Sequence, residues 1–446
     1  MTSPPSDHLS TVPCYRITGS APLRGTVRVP GDKSISHRAL MFGAIASGVT
    51  RIRGLLEGED CLNTARVLRK LGVRIETETV DGQRVWTVHG VGQGGLISTT
   101  EPLDVGNSGT GMRLLAGLLV GQGVSASLVG DRSLMSRPME RIAAPLRMMG
   151  AQIDTRDGKP PVVIQSGAEV IGIDYHLPVA SAQVKSSVLL AGLGASHPTT
   201  VTEPERSRDH TERMLPAFGC PVAVKGNTAR LTGPAQLQGI EVDVPGDISS
   251  AAFLLVAATL IPGSELLIEH VGVNPTRTGI IRILEAMGAS IERLNERDIH
   301  GEPVCDLRVK SANLTAIDVP SAWVPSAIDE FPVIFIAAAS AAGTTRVTGV
   351  GELKVKESDR LGTMARGLEA LGVRLIESDD GIEITGGPLS GGDIHSHDDH
   401  RIAMAFAVAG ARSTEPLTVY DVTNVGTSFP GFAQLMQGLG LALEEI

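Results

Sequence analysis

Six basic side chains stand where a loop is predicted to lead into an apolar helix. They are Lys33, Arg38, Arg137, Lys356, Arg360 and Arg401. Backbone N–H groups and the helix dipole already favour anions at a helix start, and a lysine or arginine there strengthens the grip on phosphate or carboxylate. Solvated surface charges would show no preference for such positions. The pattern therefore predicts a cleft that binds anionic small molecules.

The first of these junctions, residues 29–38, reads VPGDKSISHR. Pro-Gly-Asp is predicted to end the preceding strand in a turn, and an apolar helix is predicted over residues 39–46. Lys33, Ser34 and Arg38 then crowd the junction, which suits a phosphate or a carboxylate, although a capped helix with solvated charges would give the same pattern. The opening VPGD recurs 215 residues later without the lysine and the arginine. Since duplication accounts for the shared frame, the extra cations of the first copy indicate function.

Three further polar turns precede predicted helices. Residues 106–113 (GNSGTGMR) are rich in glycine, and their bare N–H groups suit an oxyanion, although a flexible turn would look the same. Residues 180–186 (ASAQVKS) offer small polar groups that could hydrogen-bond hydroxyls. Residues 207–212 (SRDHTE) are, on their own, most simply a helix-capping network.

Two carboxylates stand close to these cations. Asp329 precedes a predicted apolar helix over residues 333–339, a position where acids usually complement the helix dipole. Lys356 and Arg360 are four residues apart, so on a helix both would face one way, and Glu357 follows the lysine directly. The sequence therefore predicts Asp329 and Glu357 as the groups that transfer protons.

A helix end, a glycine and a strand recur six times along the chain. The glycines are residues 72, 150, 219, 288, 372 and 440, with spacings of 78, 69, 69, 84 and 68 residues. Glycine after a helix favours the left-handed conformation, and these spacings exceed those of a solenoid repeat but suit a unit of two short helices and about four strands. We therefore predict two similar α/β domains, residues 30–244 and residues 1–29 plus 245–446. The hinge is expected near residues 30 and 245, with a cleft that closes between the domains.

Composition excludes several classes of protein. The chain has 446 residues, 42% hydrophobic and 20% charged, with a net charge of −10, which predicts a multidomain globular protein and argues against nucleic-acid or acidic-membrane partners. The longest apolar run, residues 251–261, is too short to span a bilayer. Four scattered cysteines suit a reducing cytoplasm, and residues 1–11 are expected to form a frayed tail. Any anion site must therefore be locally basic.

Two motifs point to other functions but lack the required context. Residues 90–95 (GVGQGG) satisfy the dinucleotide pattern G-x-G-x-x-G, but no helix is predicted directly after them. Residues 395–400 (HSHDDH) satisfy the zinc pattern H-x-H-x-D-H of metallo-β-lactamases, but no histidine follows to complete the ligand set. No metal site is therefore predicted.

Taken together, the motifs resemble those of 5-enolpyruvylshikimate-3-phosphate synthase. The matching segments come in that family's order and cover the chain from about residue 20 to the end: residues 30–38, 106–110, 137–139, 181–183, 329–330, 356–361 and 399–401. Their details are similar to those of the bacterial class II enzymes, which are associated with glyphosate tolerance. The resemblance implies the enolpyruvyl transferase fold, an inside-out α/β barrel of two domains, each with three βαβαββ units, that close on the first substrate.

The resemblance also implies a reaction. The enolpyruvyl group of phosphoenolpyruvate would be transferred to the 5-hydroxyl of shikimate 3-phosphate, with release of phosphate, in the pathway to chorismate and the aromatic amino acids. The family uses no cofactor and no metal. We expect a cytoplasmic monomer whose partners are these two small molecules, with no nucleic acid and no membrane.

Roles for individual residues follow from the matched motifs. Lys33 would touch both substrates. Shikimate 3-phosphate would contact Ser34, Arg38, Ser181, Ala182, Gln183, Arg208, Asp329 and Lys356. Phosphoenolpyruvate would contact Asn107, Gly109, Arg137, Gln183, Arg360 and Arg401. Asp329 would take the 5-hydroxyl proton, and Glu357, with Lys33, would exchange the proton at the methylene carbon of phosphoenolpyruvate.

Two positions depart from the family pattern. Many members have a lysine where this chain has Thr427, before Ser428-Phe429-Pro430, so the sequence does not show what replaces that phosphate contact. Insensitive class II members carry alanine where this chain has Gly109. Gly109 therefore predicts room for glyphosate in the phosphoenolpyruvate site.

Three other hypotheses make different demands. UDP-N-acetylglucosamine enolpyruvyl transferase shares the fold and the donor but uses a cysteine in its first large domain, and none lies between Cys61 and Cys220 here. A non-catalytic anion-binding protein would keep the cations without needing both Asp329 and Glu357. A zinc hydrolase would contain metal.

Overall fold

The computed structural model describes residues 12–167 and 169–446, so the expected tail of residues 1–11 lies outside the described part. The helices described are α1 Lys33–Ile45, α2 Glu59–Lys70, α3 Gly109–Gln122, α4 Glu140–Met148, α5 Ala182–Gly192, α6 His210–Ala217, α7 Ile248–Leu260, α8 Gly279–Ala286, α9 Phe331–Ala339, α10 Arg360–Ala370, α11 His400–Gly410 and α12 Phe432–Leu439. None of them is both long enough and apolar enough to cross a membrane.

The strands of the first half of the chain are β1 Cys14–Ser20, β2 Arg24–Val27, β3 Ala46–Arg53, β4 Arg74–Val80, β5 Gln83–Val91, β6 Leu103–Asp104, β7 Ala126–Val129, β8 Gln152–Arg156, β9 Lys159–Gln165, β10 Asp174–His176, β11 Pro198–Thr202, β12 Ala223–Lys225, β13 Thr228–Thr232, β14 Leu237–Gln238 and β15 Glu241–Asp243. Those of the second half are β16 Glu265–Gly272, β17 Ser290–Ile299, β18 Glu302–Lys310, β19 Thr344–Thr348, β20 Arg374–Glu377, β21 Gly381–Thr385, β22 Gly392–His395, β23 Leu417–Tyr420 and β24 Leu441–Glu445.

These strands form six small sheets within the described residues, and the same topology recurs. In β6-β7-β9-β8, β10-β11-β13-β12 and β22-β23-β1-β24, one parallel pair at the edge is followed by two antiparallel pairings. The sheets β2-β16-β18-β17 and β15-β3-β5-β4 follow the same plan, and β19-β21-β20 keeps its antiparallel part. All six repeat glycines have positive φ, between 80° and 119°, which confirms the predicted left-handed helix ends.

Two separate clusters of buried apolar side chains form the interior. The first draws on residues 35–244, and the second on residues 15–29 and 248–443. We call the structure around each cluster the first lobe and the second lobe. Helices α7 and α9 are buried along their whole length, as expected for helices that are apolar on every face. The sheets therefore lie outside and apolar helices inside, which leaves the helix ends to carry polar function.

Several helices begin earlier than the apolar pattern predicted. The Asp32 side chain accepts from Ile35 N at 2.8 Å and starts α1 at Lys33, and the Ser108 side chain accepts from Gly111 N at 3.0 Å and starts α3. The boundary prediction erred because polar and glycine-rich first turns were counted as loop. Lys33 therefore lies in the first turn of α1, and Arg38 and Arg113 lie in the next turn of α1 and of α3.

The two Pro-Gly-Asp segments run side by side where the chain passes between the lobes. Gly31 and Gly246 form an antiparallel bridge, and each following aspartate donates its N–H to the proline carbonyl of the other copy, at 2.7 and 2.9 Å. Arg277 joins the Asp32 and Asp247 carboxylates, at 3.1 Å each. The duplicated segments are therefore one tightly bonded crossing.

Candidate active site

A cavity of about 500 Å³ lies between the two lobes. Three inner helices of the first lobe (α1, α3, α5) and three of the second (α7, α9, α11) open on it, each through residues in or just before its first turn. Six helix N-termini therefore face one space. Their unpaired N–H groups and dipoles make that space favourable for anions before any side chain is counted.

The structure brings together nearly all of the predicted site residues. Those that line the cavity are Lys33, Ser34, Asn107, Gly109, Arg137, Ser181, Ala182, Gln183, Arg208, Asp329, Lys356, Glu357, Arg360 and Arg401. Ten Lys and Arg residues against six Asp and Glu residues form its wall, although the chain as a whole carries −10. The cavity is therefore locally basic in an acidic protein.

Arg38 is the exception. It is 3% exposed and lies behind Ser34, whose carbonyl accepts from Arg38 Nη1 at 2.9 Å. Its other nitrogens donate to Thr211 at 2.8 Å and to Ser186 at 2.7 Å. Burial lowers the pKa of Arg38 to about 10. The structure thus places Arg38 beneath the wall of the cavity, and its direct contact with a substrate stays a prediction.

Asp329 lies among four cations. Its Oδ2 forms an ion pair with Arg208, and its Oδ1 lies 3.5 Å from Lys356 Nζ and 3.4 Å from Arg360 Nη1. Its carbonyl accepts from Arg401 Nη1 at 2.8 Å. Burial raises the pKa of Asp329, but Lys356, Arg208, Arg401 and Arg360 outweigh burial and hold that pKa well below its usual range. The carboxylate is therefore ionised.

Glu357 shares a cation with Asp329. Its Oε2 lies 2.5 Å from Arg360 Nη2, and its Oε1 lies 3.9 Å from Arg137 Nη1. Burial raises the pKa of Glu357, but Arg360 and Arg137 bring it well below its usual range. Arg360 is 1% exposed and is held from behind by Asp399, whose Oδ2 accepts from Arg360 Nε at 2.8 Å. One fixed guanidinium therefore presents two carboxylates to the cavity.

Lys356 reaches this cluster in a way that differs from the prediction. The Asp359 side chain accepts from Gly362 N at 3.1 Å and starts α10 at Arg360, so Lys356 lies before the helix, just after the 3₁₀ turn Gly351–Val355. The prediction that Lys356 and Arg360 share one helix face is therefore wrong. Both side chains still reach Asp329, because the 3₁₀ turn places Lys356 close to the start of α10.

Lys33 is held from both lobes. Its Nζ donates to Asp60 Oδ2 at 2.9 Å in the first lobe and to Ser428 Oγ at 2.6 Å in the second, while its N–H donates to Asp247 at 3.1 Å. Burial lowers the pKa of Lys33, but Asp60 and Glu357 raise it above its usual value, so the side chain is protonated. Thr427, at the departure from the family pattern, donates to the Asn424 carbonyl at 2.7 Å and contributes no group to the cavity wall.

The starts of α3 and α5 meet at Gln183. Its amide donates to Thr110 Oγ1 at 2.9 Å and accepts from Arg113. A Cβ at Gly109 would lie 3.1 Å from Arg113 Nη1 and 3.2 Å from Arg137 Nη1. Burial, with repulsion by nearby arginines, lowers the pKa of Arg113 to about 9. Positive charge is thus crowded around Gly109, and an anion bound there would relieve the crowding.

Sequence reasoning did not assign several polar residues of the wall, among them Asp60, Thr110, Arg113, Asp247, Arg277 and His400. Arg113 belongs to the glycine-rich segment that had been singled out, and Arg277 precedes α8 at the same kind of loop–helix junction as the predicted cations. Both could have been found by the rule already in use. Asp60 gave no such signal, because an acid in the first turn of a helix is usually explained by the dipole.

Two histidines of the zinc-like motif, His395 and His400, lie in different surroundings. His395 stacks on Tyr420 with ring centroids 5.0 Å apart, whereas His400 is buried at the start of α11, where burial lowers its pKa to about 3. Across residues 12–167 and 169–446, no group of three or more His, Cys, Asp and Glu side chains is arranged to hold a metal ion. All four cysteines are buried, and none of them lines the cavity.

Comparison with known proteins gives a consistent family. The profile described as EPSP synthase (3-phosphoshikimate 1-carboxyvinyltransferase) matches residues 17–436. The 3-phosphoshikimate 1-carboxyvinyltransferase of Halorhodospira halophila is 56% identical over 432 residues, covering 96% of this chain and 97% of that protein. That of Xanthomonas euvesicatoria is 56% identical over 423 residues, covering 95% and 96%. The EPSP synthase structure from Acinetobacter baumannii has a TM-score of 0.88 at 50% identity and covers 97% of this chain and 100% of that one. This likeness confirms the α/β fold class predicted from the sequence.

Proposed function

Because the chain belongs to the EPSP synthase (3-phosphoshikimate 1-carboxyvinyltransferase) family, we propose that the basic cavity between the lobes is where its two substrates are joined. The enzyme transfers the enolpyruvyl group of phosphoenolpyruvate to the 5-hydroxyl of shikimate 3-phosphate and releases phosphate. This reaction belongs to the shikimate pathway of aromatic amino acid biosynthesis. The site residues and their roles below are our proposal.

The observation that carries the proposal is the pair of carboxylates on one buried arginine. Asp329 and Glu357 both contact Arg360, at 3.4 and 2.5 Å, on one side of a cavity lined by cations. An addition followed by an elimination needs one group that accepts a proton from a hydroxyl and one that exchanges a proton at carbon. Two acids held by one fixed cation are suited to those tasks.

Shikimate 3-phosphate occupies the part of the cavity bounded by the starts of α5 and α9. Ser181, Ala182 and Gln183 offer hydroxyl, N–H and amide groups there, and the cations Arg208 and Lys356 flank Asp329. Ser34 adds a further hydroxyl, and Arg38 supports Ser34 from behind. In this position the Asp329 carboxylate accepts the proton of the 5-hydroxyl.

Phosphoenolpyruvate occupies the part bounded by the starts of α3 and α11. Arg137 is fixed by Asn107, whose Oδ1 accepts from its Nη2 at 2.6 Å, and Arg360 and Arg401 face it from the second lobe. Because Gly109 has no side chain, it leaves space for the ligand in this part of the cavity. Lys33 lies beneath both parts and contacts both substrates, since groups of both lobes hold its ammonium.

The cations also make the encounter of two anions possible. At about 4 Å two unit charges repel by about 4 kcal/mol for an effective dielectric constant near 20, so the substrates need the basic wall to come into contact. The phosphate and carboxylate groups of the bound substrates pair with the same arginines that lower the pKa of Glu357. Substrate binding therefore raises that pKa and lets Glu357 deliver a proton to the methylene carbon. The 5-hydroxyl attacks C2 and gives its proton to Asp329, which forms a tetrahedral intermediate that carries a methyl group. Phosphate then leaves C2 with the proton held by Asp329, while Glu357 takes a proton back from the methyl group and so restores the double bond.

The lobes act as two domains, residues 30–244 and residues 1–29 plus 245–446, that hinge near residues 30 and 245. Separate buried clusters and the double crossing at the Pro-Gly-Asp segments support this division for the described residues. A monomeric state, a cytoplasmic location and class II membership stay predictions.

The experiment that tests the proposal is phosphate release from phosphoenolpyruvate, measured with and without shikimate 3-phosphate. Wild-type protein should release phosphate only when both are present. Asp329→Asn should lower kcat by about a hundredfold or more, because the amide cannot accept the hydroxyl proton. Asp318→Asn is the matched control, since Asp318 is exposed and pairs with Arg346 away from the cavity. Unchanged turnover in Asp329→Asn would refute the proposed role.

A further inference from the structure

Beneath the part of the cavity assigned to shikimate 3-phosphate lies a buried carboxylate that the mechanism does not use. Glu203 follows β11, and its side chain is 1% exposed. It does not line the cavity, but residues 204–208, which follow it, all do. Glu203 is therefore in a position to hold a wall of the site without touching a substrate.

Each oxygen of Glu203 joins the same two structural elements. Oε1 accepts from Ser181 N at 3.2 Å and from Ser207 Oγ. Oε2 accepts from Lys185 Nζ at 2.6 Å and from Ser207 N at 3.2 Å. Ser181 and Lys185 belong to the start of α5, whereas Ser207 belongs to the loop that carries Arg208. One carboxylate thus binds the α5 start to the 203–208 loop twice.

A buried lysine faces the Glu203 carboxylate. Lys185 is 3% exposed and pairs with Glu203 at 2.6 Å and with Glu212 at 2.8 Å. The four groups that Glu203 binds are all donors, so an acceptor is needed at both oxygens. A glutamine has one acceptor and one donor end. The amide NH₂ of glutamine would face two of these four donors and could accept from neither. The hydrogen bonds made by one of the two Glu203 oxygens would therefore be lost.

We infer that Glu203 is a positioning residue for shikimate 3-phosphate, an inference that rests on the residue roles proposed above. It sets the distance between Ser181 at the α5 start and Arg208 on the loop. Those two residues approach the same substrate from different elements. Its loss widens that half of the cavity and leaves the phosphoenolpyruvate half, built on α3 and α11, in place.

The test separates substrate binding from turnover. Glu203→Gln should raise the KM for shikimate 3-phosphate by about tenfold or more, with a parallel rise in the Kd measured by calorimetry without phosphoenolpyruvate. At saturating shikimate 3-phosphate, kcat and the KM for phosphoenolpyruvate should stay within about threefold of wild type. Glu203→Asp keeps the carboxylate but shortens the side chain by one methylene group. It should show a smaller rise of the same KM at nearly wild-type Tm, and it decides the question if the glutamine variant does not fold.

Glu302→Gln is the matched control for loss of a buried carboxylate. Glu302 is as buried as Glu203, 3% exposed in each residue, and accepts from His210 and Asn274 at 2.7 and 2.9 Å without lining the cavity. It should lower Tm without changing the KM for shikimate 3-phosphate. The inference is overturned if both Glu203 variants keep that KM within twofold of wild type, or if Glu302→Gln raises it equally. Wild-type protein without substrate-dependent phosphate release would instead refute the proposed function.

Discussion

Replacing Gly109 by alanine adds one methyl group to the part of the cavity that we propose binds phosphoenolpyruvate. The new Cβ would lie 3.1 Å from Arg113 Nη1 and 3.2 Å from Arg137 Nη1, where ordinary contacts begin at 3.4 Å. The two guanidinium groups must therefore move outward by about 0.2 to 0.3 Å, which the flexible ends of arginine side chains allow. Arg137 stays tied to Asn107 and Arg113 to Gln183, so neither can turn away completely.

The cost of that movement can be worked out. With an effective dielectric constant of about 20, moving a unit positive charge from about 3.0 to about 3.3 Å from an anion weakens the attraction by about 0.5 kcal/mol. Two arginines give about 1 kcal/mol, or about a fivefold rise in the KM for phosphoenolpyruvate. Glyphosate, which needs the space that the methyl group takes, should lose about tenfold or more in inhibition. The KM for shikimate 3-phosphate should not change.

Initial rates of phosphate release, with phosphoenolpyruvate varied at saturating shikimate 3-phosphate and with glyphosate titrated, measure these effects. Gly438→Ala in α12 is the matched control, because its Cβ would meet nothing within 4 Å. It should leave both KM values and the inhibition unchanged. Equal, weak inhibition of wild type and Gly109→Ala, with equal KM for phosphoenolpyruvate, would refute the steric argument.

Two further predictions concern groups outside the cavity wall. Burial raises the pKa of Asp209, but Arg213 and Asn274 outweigh burial and lower it from 3.8 to about 2, so this carboxylate should add about 2 kcal/mol of stability above about pH 4 that is lost as the pH falls towards 2. In urea unfolding, the stability difference between wild type and Asp209→Asn should shrink as the pH falls from about 4 to about 2, and a constant difference would contradict the linkage. Burial raises the pKa of Cys61 well above its usual value, so iodoacetamide near neutral pH should leave the folded enzyme unmodified and active. Rapid inactivation with alkylation of Cys61 would instead favour a cysteine-dependent mechanism.

The local pattern of the chain predicted where cations and helix starts coincide. The glycine that ends a helix, the apolar run that fills a lobe and the capping residue before a basic side chain each follow from short-range chemistry. The positions of Lys33, Arg137 and Arg401 at the cavity could therefore be anticipated. Helix starts were placed too late because polar first turns such as that of α1 resemble loops.

What the pattern could not supply is the depth of each side chain and its partners from distant segments. Arg38 lies behind the cavity wall because its side chain donates to Thr211 and Ser186, which are 173 and 148 residues away in sequence. The approach of Lys356 to Asp329 depends on a turn whose path no periodicity reveals. Glu203 gave no signal at all, since its importance comes from four donors that only the fold assembles.

The pairing of β1 with β23 and β24, and of β2 with β16, bears on how the protein is made. Strand β2 is translated well before its partner β16, and β1 long before its partners β23 and β24. Residues 35–244 can collapse around their own interior while those strands still wait without partners. A newly made chain therefore exposes the unpaired backbone of β1 until β23 and β24 have been translated, and β1 is where a holding chaperone would have most to protect.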